Sequence, residues 1–266
     1  MGWMTKFVSL MIGALLAITA APRTGSAADD LLEKIKERGT MRACNVAYTP
    51  WNMINPATNQ WEGINPEIAQ EIAKMLKVKL EHVDVTWATL IQSITTGKCD
   101  LGITPSWITP QRAELVTFTK SYADEGMGVF IPADSSAKTV AELDQPGKVI
   151  VALSGSADGR VAREIFKKAT VKDIVSDKAG GAILEVAAKR ADGATGGYYG
   201  NVMFIKSNPG LNVKAMEGVF FNPTPMGYVV VAREYFFRDW LNAALTTLEA
   251  TGAKQKIIEK WTKMDR

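Results

Sequence analysis

This 266-residue chain has two cysteines, one histidine and no apolar run long enough to cross a bilayer. His82 is the lone imidazole and Cys44 and Cys99 stand far apart, so a Cys/His zinc site is not expected and no metal or cofactor is assigned. The longest early apolar run, residues 7–21, falls short of the roughly 18 residues of a membrane span, and nothing later approaches that length. Charge of one sign is also missing. The formal net charge is +3, and it falls to +1 if residues 1–28, which carry Lys6 and Arg23, are removed. A near-neutral balance argues against a nucleic-acid partner or an electrostatic membrane binder. Repeats and low-complexity tracts are absent too.

The N-terminus is informative. Lys6 precedes the apolar run, small residues follow, and Ser26-Ala27-Ala28 fits a small-x-small cleavage pattern. This is the layout of a secretory signal peptide over residues 1–28, so an exported, soluble mature chain is expected from about Asp29. An exported address permits a Cys44–Cys99 disulfide, and two buried thiols fit equally well.

Hydrophobic periodicity alternates between two and 3.6 along most of the remainder. Helices are expected at 31–38, 66–76, 87–96, 160–168 and 179–190, and strands at 41–47, 78–85, 100–104, 148–153, 171–175 and 192–195. Such alternation predicts parallel sheet covered by helices. Extended runs near residues 126–130 and 220–231 would join two α/β units. The expected division is residues 29–125 plus 222–266 as one lobe and 126–221 as the other. Ligands of open α/β sheets sit beyond the carboxyl ends of the strands. That places loops 48–52, 104–112, 154–159 and 196–201 at the cleft.

Residues 97–122, GKCDLGITPSWITPQRAELVTFTKSY, hold the most pointed arrangement. A strand and polar corner lead to a helix opened by Thr109 as N-cap and Pro110 at the first position. Arg112 follows in the first turn, where a cation opposes the helix dipole. Turned towards the strand ends, its guanidinium fork and the free N–H groups would hold a carboxylate. The plainer alternative is a surface arginine paired with Glu114 or Asp100.

Several motifs then occur in one order. Trp61-Glu62-Gly63-Ile64-Asn65-Pro66-Glu67-Ile68 resembles a G-F-D-x-D-[LM] signature, with Asn65 and Glu67 in its acidic positions. Residues 87–97 resemble W-x-x-L-I-x-x-L-x-x-G, residues 108–112 match I-T-x-x-R, and residues 118–122 resemble F-[ST]-x-P-Y. Gly155-Ser156 matches a G-[ST]-T loop, and residues 251–261 resemble a terminal D-G-x-x-x-x-I-x-x-K-W. Together they resemble the periplasmic solute-binding proteins of polar amino-acid ABC importers, extracellular solute-binding protein family 3. The resemblance implies an α/β, two-lobed periplasmic-binding-protein fold with two parallel or mixed sheets, flanking helices and a two-strand hinge. It implies a periplasmic, non-catalytic, monomeric receptor that takes a small carboxylate ligand and delivers it to a membrane permease.

By the same resemblance Arg112 grips the ligand's α-carboxylate. Thr104 contributes a hydroxyl or carbonyl, and Ser156 a hydroxyl or amide N–H. Four departures stand out. Gly197 occupies the place of the family's amine-binding Asp, and Val46 that of an acidic residue on the first strand. Ala157 replaces a Thr, and Trp107 a small hydroxyl residue. A buried ammonium needs a carboxylate. Either Asp158, Glu125 or tyrosine hydroxyls take over, or the ligand has no α-amine.

Aromatic residues expected near the cleft are Tyr48, Trp51, Trp87, Trp107, Tyr198 and Tyr199. Trp87 is expected in the lobe core. Trp51 and Trp107, in loops, either stack on a ligand or pack the loop. Tyr198 or Tyr199 is expected to fill the space of the missing Asp. The binding site expected is thus Arg112, Thr104, Trp107, Trp51, Tyr48, Ser156, Ala157 and Tyr198. An enzyme related to cyclohexadienyl dehydratase is an alternative, but loop 196–201 holds no acid to protonate a leaving group. A sensory module is another, though no membrane helix follows the terminal helix.

Overall fold

The computed structural model describes Met1 and residues 30–262; apart from Met1, the expected signal peptide lies outside them. The strands, in chain order, are β1 (Thr40–Asn45), β2 (Met53–Ile54), β3 (Trp61–Glu62), β4 (Lys79–Asp84), β5 (Leu101–Trp107), β6 (Val116–Phe118), β7 (Ala123–Pro132), β8 (Val149–Leu153), β9 (Thr170–Ile174), β10 (Gly193–Gly197) and β11 (Val213–Val231). Among the described residues, nine of them form one mixed sheet in the order β4-β1-β5-β11-β7-β10-β8-β9, with β6 on β11. Two parallel wings, β4-β1-β5 and β10-β8-β9, are joined through the antiparallel pair β11 and β7. The two extended runs read from sequence are this joining pair. The 19-residue β11 meets β7 from Val213↔Pro132 to Met226↔Ala123 and also pairs with β5 and β6 in the first wing.

Local chemistry explains where the helices begin and end. Asp30 caps the helix Leu31–Arg38 by accepting the Leu32 N–H at 2.9 Å, and Gly39 stops it in the left-handed region at φ 69°. The helix Ile64–Leu76 starts two residues earlier than its periodicity suggests. The N–H groups of Ile64 and Asn65 donate to the carbonyls of Pro50 and Trp51, so that end is satisfied by the neighbouring loop. Ile64, Ile68, Ile72 and Leu76 on its inner face are buried. The helix expected at 87–96 shortens to Leu90–Thr95. Thr89 Oγ1 accepts the Thr86 N–H at 3.0 Å, and this local bond holds residues 86–89 in a turn. Trp87 therefore sits on a corner rather than in a helix.

Asp100 is buried and committed. It pairs with Arg38 and with Arg42, whose Nη2 lies 2.9 Å away, and it also accepts the Arg42 N–H at 2.7 Å. It is not a partner of Arg112. A chain of buried amides crosses the first wing. Asn45 Nδ2 meets His82 Nδ1 at 3.0 Å, Asn52 donates to Asn45, Asn65 donates to Asn52, and the Tyr228 hydroxyl donates to Asn65. Fully paired groups of this kind fix one arrangement of loop, helix and long strand. Asn65, read from sequence as standing in an acidic signature position, belongs to this network. Cys44 and Cys99 form a disulfide with a Cα–Cα distance of 5.6 Å, which decides between the two readings left open by sequence.

Candidate functional site

Where the two wings face one another, a narrow cavity of about 30 Å³ is lined by Tyr48, Trp87, Trp107 and Arg112 from one side. Ser156, Ala157, Asp158, Thr195 and Gly197 line it from the other, and Glu125 of the joining strand β7 closes it. A void of this size admits a water or two.

Arg112 belongs to the four-residue helix Pro110–Ala113, capped by Thr109. Its guanidinium is turned inward. Nη1 donates to Trp107 O at 3.3 Å and Nη2 to Gly155 O at 3.1 Å, so one side chain bonds to both halves of the molecule. Its Cζ lies 5.9 Å from the Trp87 ring centroid. Among the described residues no carboxylate forms an ion pair with it, so Glu114 is no more its partner than Asp100. Burial, then the nearby Arg160, lowers its pKa to about 10, with Asp158 opposing. Its hydrogen bonds reach carbonyls only, and the nearby Asp158 offsets part of its desolvation without forming an ion pair.

Further contacts bring the halves together at glycines. Gly155 has φ +75°, and a methyl group there would stand 2.6 Å from Trp87 O. A methyl group on Gly197 would stand 1.9 Å from Tyr48 Oη and 3.0 Å from Glu125 Cγ. The space of the missing Asp is thus taken by Tyr48 and bordered by Glu125; Tyr198 and Tyr199 do not fill it. Glu125 Oε1 accepts the Tyr199 N–H at 2.9 Å, while its Oε2 is buried without a partner. Burial first, and then Asp158, raises the Glu125 carboxyl to about 7 against the opposing Tyr199 N–H. Burial likewise raises Asp158 to about 6, with Arg112 opposing.

The expected residues divide. Arg112, Trp107, Tyr48, Ser156 and Ala157 come together around the cavity, and Ser156 also spends its hydroxyl as an N-cap, accepting the Gly159 N–H at 3.2 Å. Trp107 ends strand β5 in register with Met226, rather than standing in a loop. Three expected residues do not line the cavity. Thr104 is buried with Oγ1 2.6 Å from Ser106 Oγ. Trp51 packs edge-on against Tyr122 at 5.9 Å in the first wing's core. Tyr198 packs edge-on against Tyr199 and Phe220. Trp87, expected in the core, packs there and also presents its ring to Arg112. Leu153, Gly180 and Thr195 line the cavity too. Leu153 and Thr195 each stood one residue short of an expected cleft loop, and the sequence carried no signal for Gly180.

Two α/β wings, a pair of joining strands and a charged cavity between them define a two-lobed solute-binding architecture. The profile described as bacterial extracellular solute-binding proteins, family 3, matches residues 41–264, and the chain belongs to that family. It is 28% identical over 220 residues to ABC transporter arginine-binding protein 1 of Escherichia coli (strain K12), covering 82% of this chain and 88% of the relative. The ancestral amino acid-binding protein AncCDT-1, a precursor of cyclohexadienyl dehydratase, superposes with a TM-score of 0.78 at 26% identity, covering 86% and 98% of the two chains. Holo ArgBP from T. maritima superposes with a TM-score of 0.73 at 27% identity, covering 82% of this chain and 93% of the other. Among the described residues, no helix is long and apolar enough to cross a membrane.

Proposed function

We propose that this protein is the exported amino-acid-binding component of an ABC importer. In this reading it captures a small carboxylate-bearing solute between its lobes and presents it to a membrane permease as a monomer. The observation that carries the reading is Arg112, a buried guanidinium at the cavity whose bonds reach only carbonyls, one from each half. A ligand carboxylate would replace the Gly155 and Trp107 carbonyls with a charge-assisted, bidentate pair. The relatives named as arginine-binding or amino-acid-binding support the ligand class.

The lobes are taken as residues 29–125 plus 222–266 and residues 126–221, with the crossing strands as hinge. A cavity of about 30 Å³ is too small for an amino acid, so entry requires Arg112 to leave Gly155 and the halves to part. Contacts made to both halves would then favour reclosure, a population shift rather than a new fold. Ser156 and Ala157 line the second half of the site, and Tyr48 and Trp107 the first.

Intrinsic fluorescence should report binding, because Trp87 and Trp107 line the cavity. Titration with a panel of amino acids and small organic acids is expected to give a saturable change with at least one carboxylate. A flat response across the panel would count decisively against the reading.

A catalytic reading draws on one observation. The acid missing from loop 196–201 has a counterpart in Glu125, which reaches that loop through the Tyr199 N–H and holds its proton up to about pH 7. Such a carboxyl can serve as a general acid. Its Oε1 is engaged as a helix cap, and we assign it to binding. Incubation with prephenate is expected to release no phenylpyruvate; release would reassign Glu125 to catalysis.

A further inference from the structure

His82 stands half-buried on the edge strand β4 and is the chain's one imidazole. Its Nδ1 lies 3.0 Å from Asn45 Nδ2, at the outer end of the buried amide chain. Backbone carbonyls, which only accept, fix the way those amides face. Asn45 Nδ2 donates to Ala43 O at 2.9 Å, and Asn52 Nδ2 donates to Ile103 O at 3.0 Å. Turning the Asn45 amide over would set its oxygen against the Ala43 carbonyl and its nitrogen against Asn52 Nδ2. Asn45 therefore presents an N–H to His82, and Nδ1 must accept it. The neutral ring carries its hydrogen on Nε2, so the next proton it takes up goes to Nδ1 and meets another donor.

The inner end of the chain reaches the candidate site. Asn52 Oδ1 accepts from Asn65 Nδ2 at 2.8 Å, and the Tyr228 hydroxyl of the joining strand β11 donates to Asn65 Oδ1 at 3.0 Å. Asn52 also closes loop 48–52 by exchanging backbone hydrogen bonds with Tyr48 at 2.7 and 2.8 Å. Tyr48 lines the cavity and packs edge-on against Trp87, with ring centroids 6.4 Å apart. One side chain, Asn52, thus ties the loop that carries Tyr48 to strand β5, to the helix Ile64–Leu76 and, through Asn45, to His82.

We propose that His82 is a positioning residue that acts as a proton-sensitive catch on the site. Neutral, it anchors Asn45 and so holds loop 48–52 and Tyr48 against the cavity; protonated, it opposes the Asn45 N–H and loosens that loop. Acid surroundings then weaken the site from a distance.

The sign follows from the groups around the ring. Asp84, on the same strand, favours the proton and is itself held by Trp61 Nε1 at 2.7 Å. The elements packed against β4 spend their charges elsewhere: Arg42 of β1 on Asp100, and Glu67 and Glu71 of the helix Ile64–Leu76 on Lys260 and Lys74. Burial outweighs Asp84 and lowers the imidazole pKa from its ordinary value. A group with a lowered folded pKa favours the fold above its unfolded value, about 6.5 here, and that support is lost as pH falls below it. Glu125 and Asp158, raised to about 7 and about 6, carry the opposite sign, and comparison with a His82 variant subtracts them.

The test is an NMR titration of the protein from about pH 8 to 4, in which the single imidazole identifies itself. The neutral ring should be the Nε2–H form with a midpoint below about 6.5. The side-chain amide signals of Asn45 and Asn52 and the Trp87 indole N–H should move with that same midpoint. In His82→Gln, whose side-chain oxygen accepts the Asn45 N–H without titrating, those signals should lose that dependence. In urea, the parent's unfolding constant should rise relative to the variant's by about tenfold for each unit separating the folded midpoint from about 6.5. An imidazole that titrates at or above about 6.5 overturns the proposal, as does one that titrates while the amide and indole signals stand still. So does a His82→Gln variant that keeps the dependence; if that variant does not fold, the parent titration decides alone. None of these readouts uses a ligand, so failure of the catch leaves the Arg112 clamp untouched, and failure of the clamp leaves the catch.

Discussion

Arg112→Met is expected to weaken binding of the cognate carboxylate by about a hundredfold or more, while the thermal transition stays in place or rises. A hydrogen bond to a charged group contributes about 1.5–3 kcal/mol, and a bidentate pair supplies two of them. Unlike a surface ion pair, this guanidinium is screened by Trp87, Trp107 and the opposing loop at Gly155. The stability side runs the other way. Arg112 is buried with no ion pair, so an apolar side chain of similar length removes a desolvated charge, while the buried Asp158 loses a nearby cation and takes up a proton more readily, which limits the gain. Arg112→Lys should recover only part of the binding, because an ammonium cannot reproduce the planar fork. Fluorescence titration and a melting curve on the same sample separate the two effects. Unchanged affinity in the methionine variant would remove the basis of the proposed function.

Loss of the Cys44–Cys99 bond should be the largest single blow to stability. The bond closes a loop across a sequence separation of 55 and ties strand β1 to the turn that feeds β5. Chain-entropy arguments put the stabilisation from a loop of that length at about 4 kcal/mol, with about 2–4 usual in practice. Both cysteines also sit in an apolar cluster with Val46, Val85 and Leu90, so a replacement loses packing as well. Calorimetry of the Cys44→Ala, Cys99→Ala double variant should show a melting temperature lower by about 5–15 °C. The parent should fall similarly under strong reductant. A shift of less than a degree in both would mean that the bond constrains little beyond the folded packing around it.

Much of the fold was legible before any coordinates. Alternating periods place strands β1, β4, β5, β8 and β9 within a few residues of their observed limits: β1, β5 and β8 bury apolar runs, while the edge strands β4 and β9 show only an alternation bounded by turn chemistry. Helix ends are less legible. The helix at Ile64 begins early because loop 50–51 accepts its first N–H groups, and the helix at Leu90 begins late because of a threonine side chain. Both are contacts between groups that periodicity does not see. The site divides in the same way. Arg112, Ser156 and Ala157 sit at loop-to-helix junctions, which punctuation by Thr-Pro and Gly-Ser marks in the chain. Thr104 and Trp51 were expected at the cavity from their loops, yet neither side chain lines it.

By itself, the sequence determined the α/β alternation, the two crossings and an arginine at the mouth of the first wing, since these rest on period and local turn chemistry. Tertiary structure alone decided that the cysteines are joined, that Tyr48 stands where residue 197 has no side chain, and that Glu125 and Asp158 line one cavity with Arg112. Those outcomes depend on distances between segments up to about 150 residues apart in the chain, where a side chain's neighbours are set by how the two wings meet rather than by the residues beside it.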